Sequence, residues 1–212
     1  MGYKFNTANN IKRILNTYEI KKVLDVGCGD LIYKSLFKEQ DLIGIDVEES
    51  GRKSNQKNPD FYFDGINIPF EENTFDLVLC TEVIEHAVEP EELINEIRRV
   101  LKPSGYLYLT VPMMFGEHET PYDFRRYTSF GLKKLLSSSF REIWFEKTEI
   151  GIDAIKTIIN SEFKSNIVVN GKLKTNIFYF ILKLTFIFMK LFQVKFDRIY
   201  IQNHIFVQKL DK

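Results

Sequence analysis

The chain has 212 residues, 44% of them hydrophobic, and balances 29 Lys and Arg against 29 Asp and Glu. That length carries one α/β domain with a sizeable core, taken here as residues 1–212, and a net charge of zero lacks the basic footprint of a nucleic-acid binder, so no nucleic-acid partner is expected. Two cysteines, Cys28 and Cys80, point to reduced thiols in a cytoplasmic protein, and the opening Met-Gly-Tyr-Lys-Phe-Asn lacks the apolar run of a secretion signal.

Ile11, Ile14 and Leu15 recur at helical spacing within 7–17, with Thr7 or Asn9 as the cap. Val23 to Asp30, Val-Leu-Asp-Val-Gly-Cys-Gly-Asp, is an apolar run collapsing into Gly27 and Gly29, which predicts a buried strand ending in a tight loop. Glycines there let a ligand lie against the main chain at the strand's carboxyl end. The carboxylate of Asp25 is expected to point at the same crevice. A short helix over 31–37 leads to a second buried strand over 41–46, closed by Asp46, 21 residues after Asp25. In a βαβ unit that carboxylate stands beside the Gly-rich turn, where it can accept from ribose hydroxyls.

A third strand starts at Phe61 and breaks at Asp64-Gly65, and a fourth covers 73–80. Glu89-Pro-Glu-Glu opens a helix whose Leu93, Ile97, Val100 and Leu101 face the core. Lys102-Pro-Ser-Gly105 reads as a turn, 106–111 as a fifth strand, 129–138 as a helix capped by Thr128, 140–147 as β-like and 203–209 as a final strand. Such alternation implies a mainly parallel sheet covered on both faces.

Val-Leu-Asp-Val-Gly-Cys-Gly, Ile-Gly-Ile-Asp46, Asp64-Gly-Ile-Asn-Ile-Pro-Phe, Phe-Asp-Leu-Val-Leu-Cys-Thr-Glu-Val-Ile-Glu-His86 and Arg-Arg-Val-Leu-Lys-Pro-Ser-Gly105, taken in that order over about half the chain, resemble the class I S-adenosylmethionine-dependent methyltransferases. His118-Glu-Thr-Pro-Tyr-Asp-Phe-Arg-Arg-Tyr-Thr128 is similar to a segment of one methyltransferase type 11-like branch. The resemblance implies a Rossmann-like, seven-stranded, mostly parallel sheet with helices on both faces, its last strand antiparallel. It implies S-adenosylmethionine as cofactor, with Asp25, Gly27, Cys28 and Gly29 at the methionine part, Asp46 and Val47 at the ribose, Asp64, Gly65 and Ile66 at the adenine, and the main chain of Cys80 beside the sulfonium. Two positions depart from the pattern: Leu31 where many members have a third glycine, and Ser104 in the usual Pro-Gly-Gly turn.

A nicotinamide dinucleotide enzyme is the rival for the Gly-rich loop, but Gly-x-Gly-x-x-Gly fails at Ile32. A carboxylate at Asp25 would repel a pyrophosphate and attract a sulfonium or ammonium. Methyl transfer from a sulfonium needs in-line positioning of a nucleophile and a base for its proton. His86, His118 and Asp123 are the candidate catalytic groups, and Tyr122, Arg126 and Tyr127 the candidate substrate contacts; an Asp123–Arg126 ion pair that merely fixes the loop stands beside that reading. Cys28 is expected to pack under the loop, not to react. Glu85-His86 and Glu117-His118-Glu119 offer metal-ligand types, but without His-x-x-x-His or Cys-x-x-Cys spacing no metal is expected.

Asn176 to Val194 is intensely apolar, with Asn176, Lys183 and Lys190 on one stripe. Its uninterrupted apolar pieces are too short to span a bilayer. It lies in an apolar, basic helical insertion over 163–202, ahead of the last strand. From Phe163 onward the net charge is +7, so the rest of the chain carries −7. A peripheral contact with the inner membrane surface, serving a lipid-linked acceptor, is one expectation for this helix; covering the sheet or forming a homodimer face is the other. The reading is methyl transfer to an O or N nucleophile of a small molecule, a sugar or lipid-linked glycan among them, with a non-catalytic cofactor-binding scaffold as alternative.

Overall fold

A computed structural model describes residues 2–51, 57–165, 172–191 and 198–211. Its backbone runs α1 (Gly2–Thr17), β1 (Lys22–Val26), β2 (Asp41–Val47), β3 (Phe61–Phe63), β4 (Phe75–Thr81), α2 (Pro90–Val100), β5 (Leu101–Pro112), α3 (Ser129–Leu136), β6 (Phe140–Ile150), α4 (Ile152–Ser165), α5 (Lys172–Leu191) and β7 (Tyr200–Lys209). The strands form one sheet in the order β3-β2-β1-β4-β5-β7-β6. β3 to β5 pair in parallel, and β7 runs antiparallel between β5 and β6.

The central strands are apolar without alternation because both faces of the sheet are covered. Val23, Leu77, Leu79 and Tyr108 pack with Ile11 and Ile14 of α1 on one side. Leu24, Val26, Val78 and Cys80 pack with Leu93, Ile97 and Val100 of α2 and Leu132 of α3 on the other. α2 begins with Pro90, carries Glu91 and Glu92 in its first turn and Arg98 and Arg99 in its last, the polarity its dipole favours. Thr128 caps α3, its hydroxyl accepting from the Gly131 N–H at 3.1 Å.

Three local expectations change. The 31–37 helix shrinks to a 3-10 turn at Lys34–Leu36. Its expected first residue, Leu31, sits at φ +50, outside the right-handed region, and its N–H donates to Cys28 O at 2.9 Å. Leu31 therefore takes, at a steric cost, the left-handed conformation that a third glycine adopts freely. The expected 102–105 turn is the start of β5, where the β4 register shifts between Phe75 and Leu77 and Ser104 sits at φ +57. The intervening Asp76 faces the strand ends, accepting from Lys22 N at 2.8 Å and pairing with Lys102 Nζ at 2.6 Å.

The third change concerns the apolar helix, which spans Lys172–Leu191; residues 192–194 of the expected helix and parts of the 163–202 segment lie outside the described residues. Over 180–189 Phe186 is the one buried side chain, with Lys156 of α4 5.4 Å from its ring, while Phe180, Ile181, Leu184, Ile187 and Phe188 are exposed. That stretch does not cover the sheet. Among the described residues no helix is long and apolar enough to cross a membrane.

Candidate functional site

A cleft of about 600 Å³ opens over the carboxyl ends of β1, β2, β3 and β4. Topology dictates its place: β1 sends its connection to one side of the sheet and β4 to the other, leaving a crevice where the strand order reverses. Gly27 forms the floor at φ +68, so close to the next wall that a Cβ there would stand 2.4 Å from Val83 Cγ2. Asp46 closes β2, its Oδ2 accepting from Gly29 N at 2.8 Å and its Oδ1 from Val47 N at 2.7 Å. Each oxygen keeps lone-pair capacity for a ligand hydroxyl. Asp64, Gly65 and Ile66 form the third edge; the carboxylate of Asp64 is held below the usual range by Asn67 and by the Ile66 and Asn67 N–H groups.

Asp46, Glu48, Glu49, Asp64, Glu82 and Glu119 give the cleft an acidic lining, which favours a cationic ligand. The residues present fit a nucleoside that carries positive charge. Val47 also lines the cleft. Asp25, Cys28, Gly29 and Cys80, expected at the cofactor, are outside the lining. The carboxylate of Asp25 does not reach the crevice as expected, because it is 2% exposed beneath the loop. Its Oδ1 has no hydrogen-bond partner, and burial beside Asp46 pushes its pKa up to about 7. Cys28 packs against Gly44, and burial pushes both thiols well up, so neither is a nucleophile.

The 113–128 loop roofs one end of the cleft and is stapled to the turn after β4. Phe124 N donates to Glu85 O at 2.9 Å, His86 Nδ1 to Tyr122 O at 2.7 Å, and Arg125 Nη2 to Val88 O at 3.0 Å. These bonds bring His118 against His86, ring centroids 4.8 Å apart. His86 and Tyr122 line the cleft; His118, Asp123, Arg126 and Tyr127 do not. All five Arg126 N–H groups are committed, to both Asp123 oxygens, Phe115 O, Gly116 O and Arg125 O, so it holds the loop and has no donor left for a substrate. Asp123 also accepts from His118 N at 2.9 Å. Burial raises its pKa, but the Arg126 and His118 hydrogen bonds outweigh that and leave it at about 2, too acidic for a general base. Tyr127 packs on the core beneath the roof, not over the cleft. Burial lowers His118, with Asp123 opposing, so its ring is neutral near pH 7.

Sequence reasoning passed over Arg125 and Lys57, and weighed Glu85 only as a metal-ligand type before setting it aside. Glu85 is fully buried and neither carboxyl oxygen has a hydrogen-bond partner; burial first, then Glu82, pushes its pKa well up. Its place beside His86 after a strand's carboxyl end was the available signal. Lys57 is buried with Nζ 2.7 Å from Val47 O and 3.6 Å from Asp46, a contact no local pattern announces.

A family model described as a methyltransferase domain matches residues 24–109. An uncharacterised protein of Methanocaldococcus jannaschii is 39% identical over 105 residues, covering 48% of this chain and 46% of its own. The demethylmenaquinone methyltransferase of Bacillus subtilis is 27% identical over 164 residues, covering 69% and 70%. The chain thus spans under half the length of the first of these relatives. A solved structure of an S-adenosylmethionine-dependent methyltransferase from Archaeoglobus fulgidus superposes with a TM-score of 0.60 at 18% identity, over 96% of this chain and 93% of that one, a likeness of fold. Strand order, acidic cleft and family match point one way: residues 24–109 resemble a methyltransferase domain, on a sheet with the fold of S-adenosylmethionine-dependent methyltransferases.

Proposed function

We propose that the chain moves a methyl group from S-adenosylmethionine to an oxygen or nitrogen nucleophile of a small molecule, a sugar or lipid-linked glycan being the acceptor class. One observation carries this reading: the acidic cleft of about 600 Å³ with Asp46 at the end of β2, facing the left-handed turn at Gly27. When bound, the sulfonium supplies an already activated methyl group. Gly27 gives the close main-chain approach, Asp46 the acceptors for ribose hydroxyls, and Gly65 and Ile66 the edge for the base. Glu82 and Glu119 place negative charge along the wall, where it favours the sulfonium over the neutral product. His86, in the cleft wall, and His118, packed edge-on against it outside the lining, are the groups nearest to hand for an acceptor proton. Tyr122 is the roof residue placed to touch substrate.

We read the 163–202 segment as an insertion that brings the cleft to its acceptor. The exposed apolar side chains of α5 and the +7 charge from Phe163 onward support a peripheral contact with the inner membrane surface of a cytoplasmic protein, or a homodimer face over 176–194. Co-sedimentation with anionic vesicles and the mass in solution tell these two apart.

Calorimetry with S-adenosylmethionine, S-adenosylhomocysteine and, as control, NAD tests the cofactor. Both sulfur nucleosides are expected to bind, NAD not, and Asp46→Ala to weaken both at least tenfold. Folded protein that binds neither would refute methyl transfer. Tight binding without methyl transfer to any of a panel of sugar nucleotides and lipid-linked glycans would favour the scaffold.

A further inference from the structure

Glu85, His86 and His118 come from two segments, yet one ligand-type atom of each lies within 4.8 Å of the others. The environment of each atom is unusual for a resting polar group. Both oxygens of Glu85 are buried without a hydrogen bond, in a residue with no exposed surface. His86 Nδ1 donates to Tyr122 O at 2.7 Å, which leaves Nε2 as a lone-pair donor, and that atom is buried, unpartnered and 3.8 Å from Glu85 Oε1. His118 Nδ1 lies 3.2 Å from Asp123 Oδ2 and 3.3 Å from Gly116 O, so its Nε2 also keeps a free lone pair.

Buried polar groups find partners, yet neither Glu85 oxygen nor His86 Nε2 has one, and at 3.8 Å Glu85 Oε1 and His86 Nε2 stand too far apart to hydrogen-bond each other. A cation would satisfy all three at once. Each ring is moreover fixed through its other nitrogen by a carbonyl or carboxylate, the arrangement that orients an imidazole toward a metal.

We propose that Glu85, His86 and His118 bind one divalent transition-metal cation at the roof end of the cleft. Two imidazoles and a carboxylate suit zinc, manganese or iron(II) and leave coordination positions open. Ligand atoms around a single zinc stand about 3.4 Å apart, so the trio draws in by up to about 1.4 Å from its present spread, a side-chain adjustment. Magnesium, which prefers an octahedron of oxygens, suits the site poorly. Of the three residues, His86 also lines the cleft.

The cation's role in catalysis rests on the methyl-transfer reading; its binding does not. An acceptor hydroxyl coordinated there loses its proton to water at neutral pH, and the oxygen–methyl bond forms as the sulfur–methyl bond breaks, leaving the neutral thioether. The two imidazoles are then ligands, not bases. A hydroxyl acceptor is thereby favoured over an amine.

The test uses the full chain, tag-free and stripped with chelator, titrated calorimetrically with zinc, manganese, cobalt(II) and magnesium chloride, with the cobalt absorption spectrum as signature. One zinc or cobalt per chain is expected, with a visible d–d band and magnesium at least tenfold weaker. Glu85→Gln and His118→Asn are each expected to weaken zinc at least tenfold while S-adenosylhomocysteine binds within threefold of wild type. If either variant fails to fold by circular dichroism, the other decides. Absence of stoichiometric zinc binding, or equal binding by wild type and variants, overturns the site. Wild type that binds zinc but no sulfur nucleoside would leave the site standing and sink the cofactor reading.

Discussion

Asp25 gives the sharpest test of how the cofactor cleft is built. Its carboxylate is buried under the Gly-rich turn, with Oδ1 unpartnered and Asp46 as a like-charged neighbour, and burial foremost raises its pKa from 3.8 to about 7. A raised acid binds more protons folded than unfolded between pH 3.8 and 7, so folding stability falls as pH rises through that window. At about 1.4 kcal/mol per pKa unit, the cost is about 4 kcal/mol at pH 8 and about 2 kcal/mol at pH 5. Asp25→Asn abolishes this titration and leaves a pH-independent offset from the new amide. The difference in unfolding free energy between Asp25→Asn and wild type, from urea denaturation without ligand, is therefore expected to move in favour of the variant by about 3 kcal/mol between pH 5 and pH 8. Parallel stability curves over that range would show that the carboxylate is ionised without penalty and that the reasoning from its burial is wrong.

His204 has the opposite sign. It is fully buried in β7 between Tyr108 Oη at 2.7 Å and Thr148 Oγ1 at 3.3 Å, and burial lowers its pKa to about 4. Stability is lost as pH falls from 6.5 to 4, by about 3 kcal/mol, and His204→Gln is expected to flatten that limb in urea denaturation curves. Gly27→Ala forces a Cβ to 2.4 Å from Val83 Cγ2 at φ +68, so it should cost about 1–2 kcal/mol and weaken S-adenosylhomocysteine at least tenfold; Val83→Ala in the same chain relieves the clash but not the backbone strain, as calorimetry would record. Arg126→Ala leaves Asp123, whose side chain is 2% exposed, without its guanidinium, and limited proteolysis should then cut within 113–128. Ile97→Ala in α2, fully buried between helix and sheet, should cost about 2–5 kcal/mol in thermal denaturation.

The sheet was legible because its signals are local and mutually consistent. A short, mostly apolar, β-branched run over 23–26 ending in glycine reads as a strand buried on both faces, and Asp46 at the end of the next such run follows from the same pattern. The expected 31–37 helix failed where tertiary packing overrode propensity: Leu31 is needed against Gly44, and reaching it takes a left-handed residue that no helix tolerates. For the apolar helix the composition was legible but its partner was not, since a wide apolar face carries no record of what it meets. Its exposed Phe180, Leu184 and Phe188 decide against the sheet.

The roof is the harder case, and its physics explains why. Arg126 and Asp123 are three apart and were readable as a pair; that the pair consumes every donor of the guanidinium depends on where Phe115 O and Gly116 O turn. His118 lies 32 residues beyond His86, and nothing in either segment encodes their meeting. The encoding is in the staples: Phe124 N on Glu85 O, His86 on Tyr122 O, and Arg125 on the carbonyls of Ala87 and Val88. Backbone carbonyls carry no sequence identity, so side chains that bond them leave no pairwise pattern to read. A spacing rule such as His-x-x-x-His detects ligands on a single helix and is blind to a site assembled from two loops. The unpartnered oxygens of Glu85 are what a folded chain offers in place of that rule, because a buried acceptor without a donor shows itself only after the chain has closed around it.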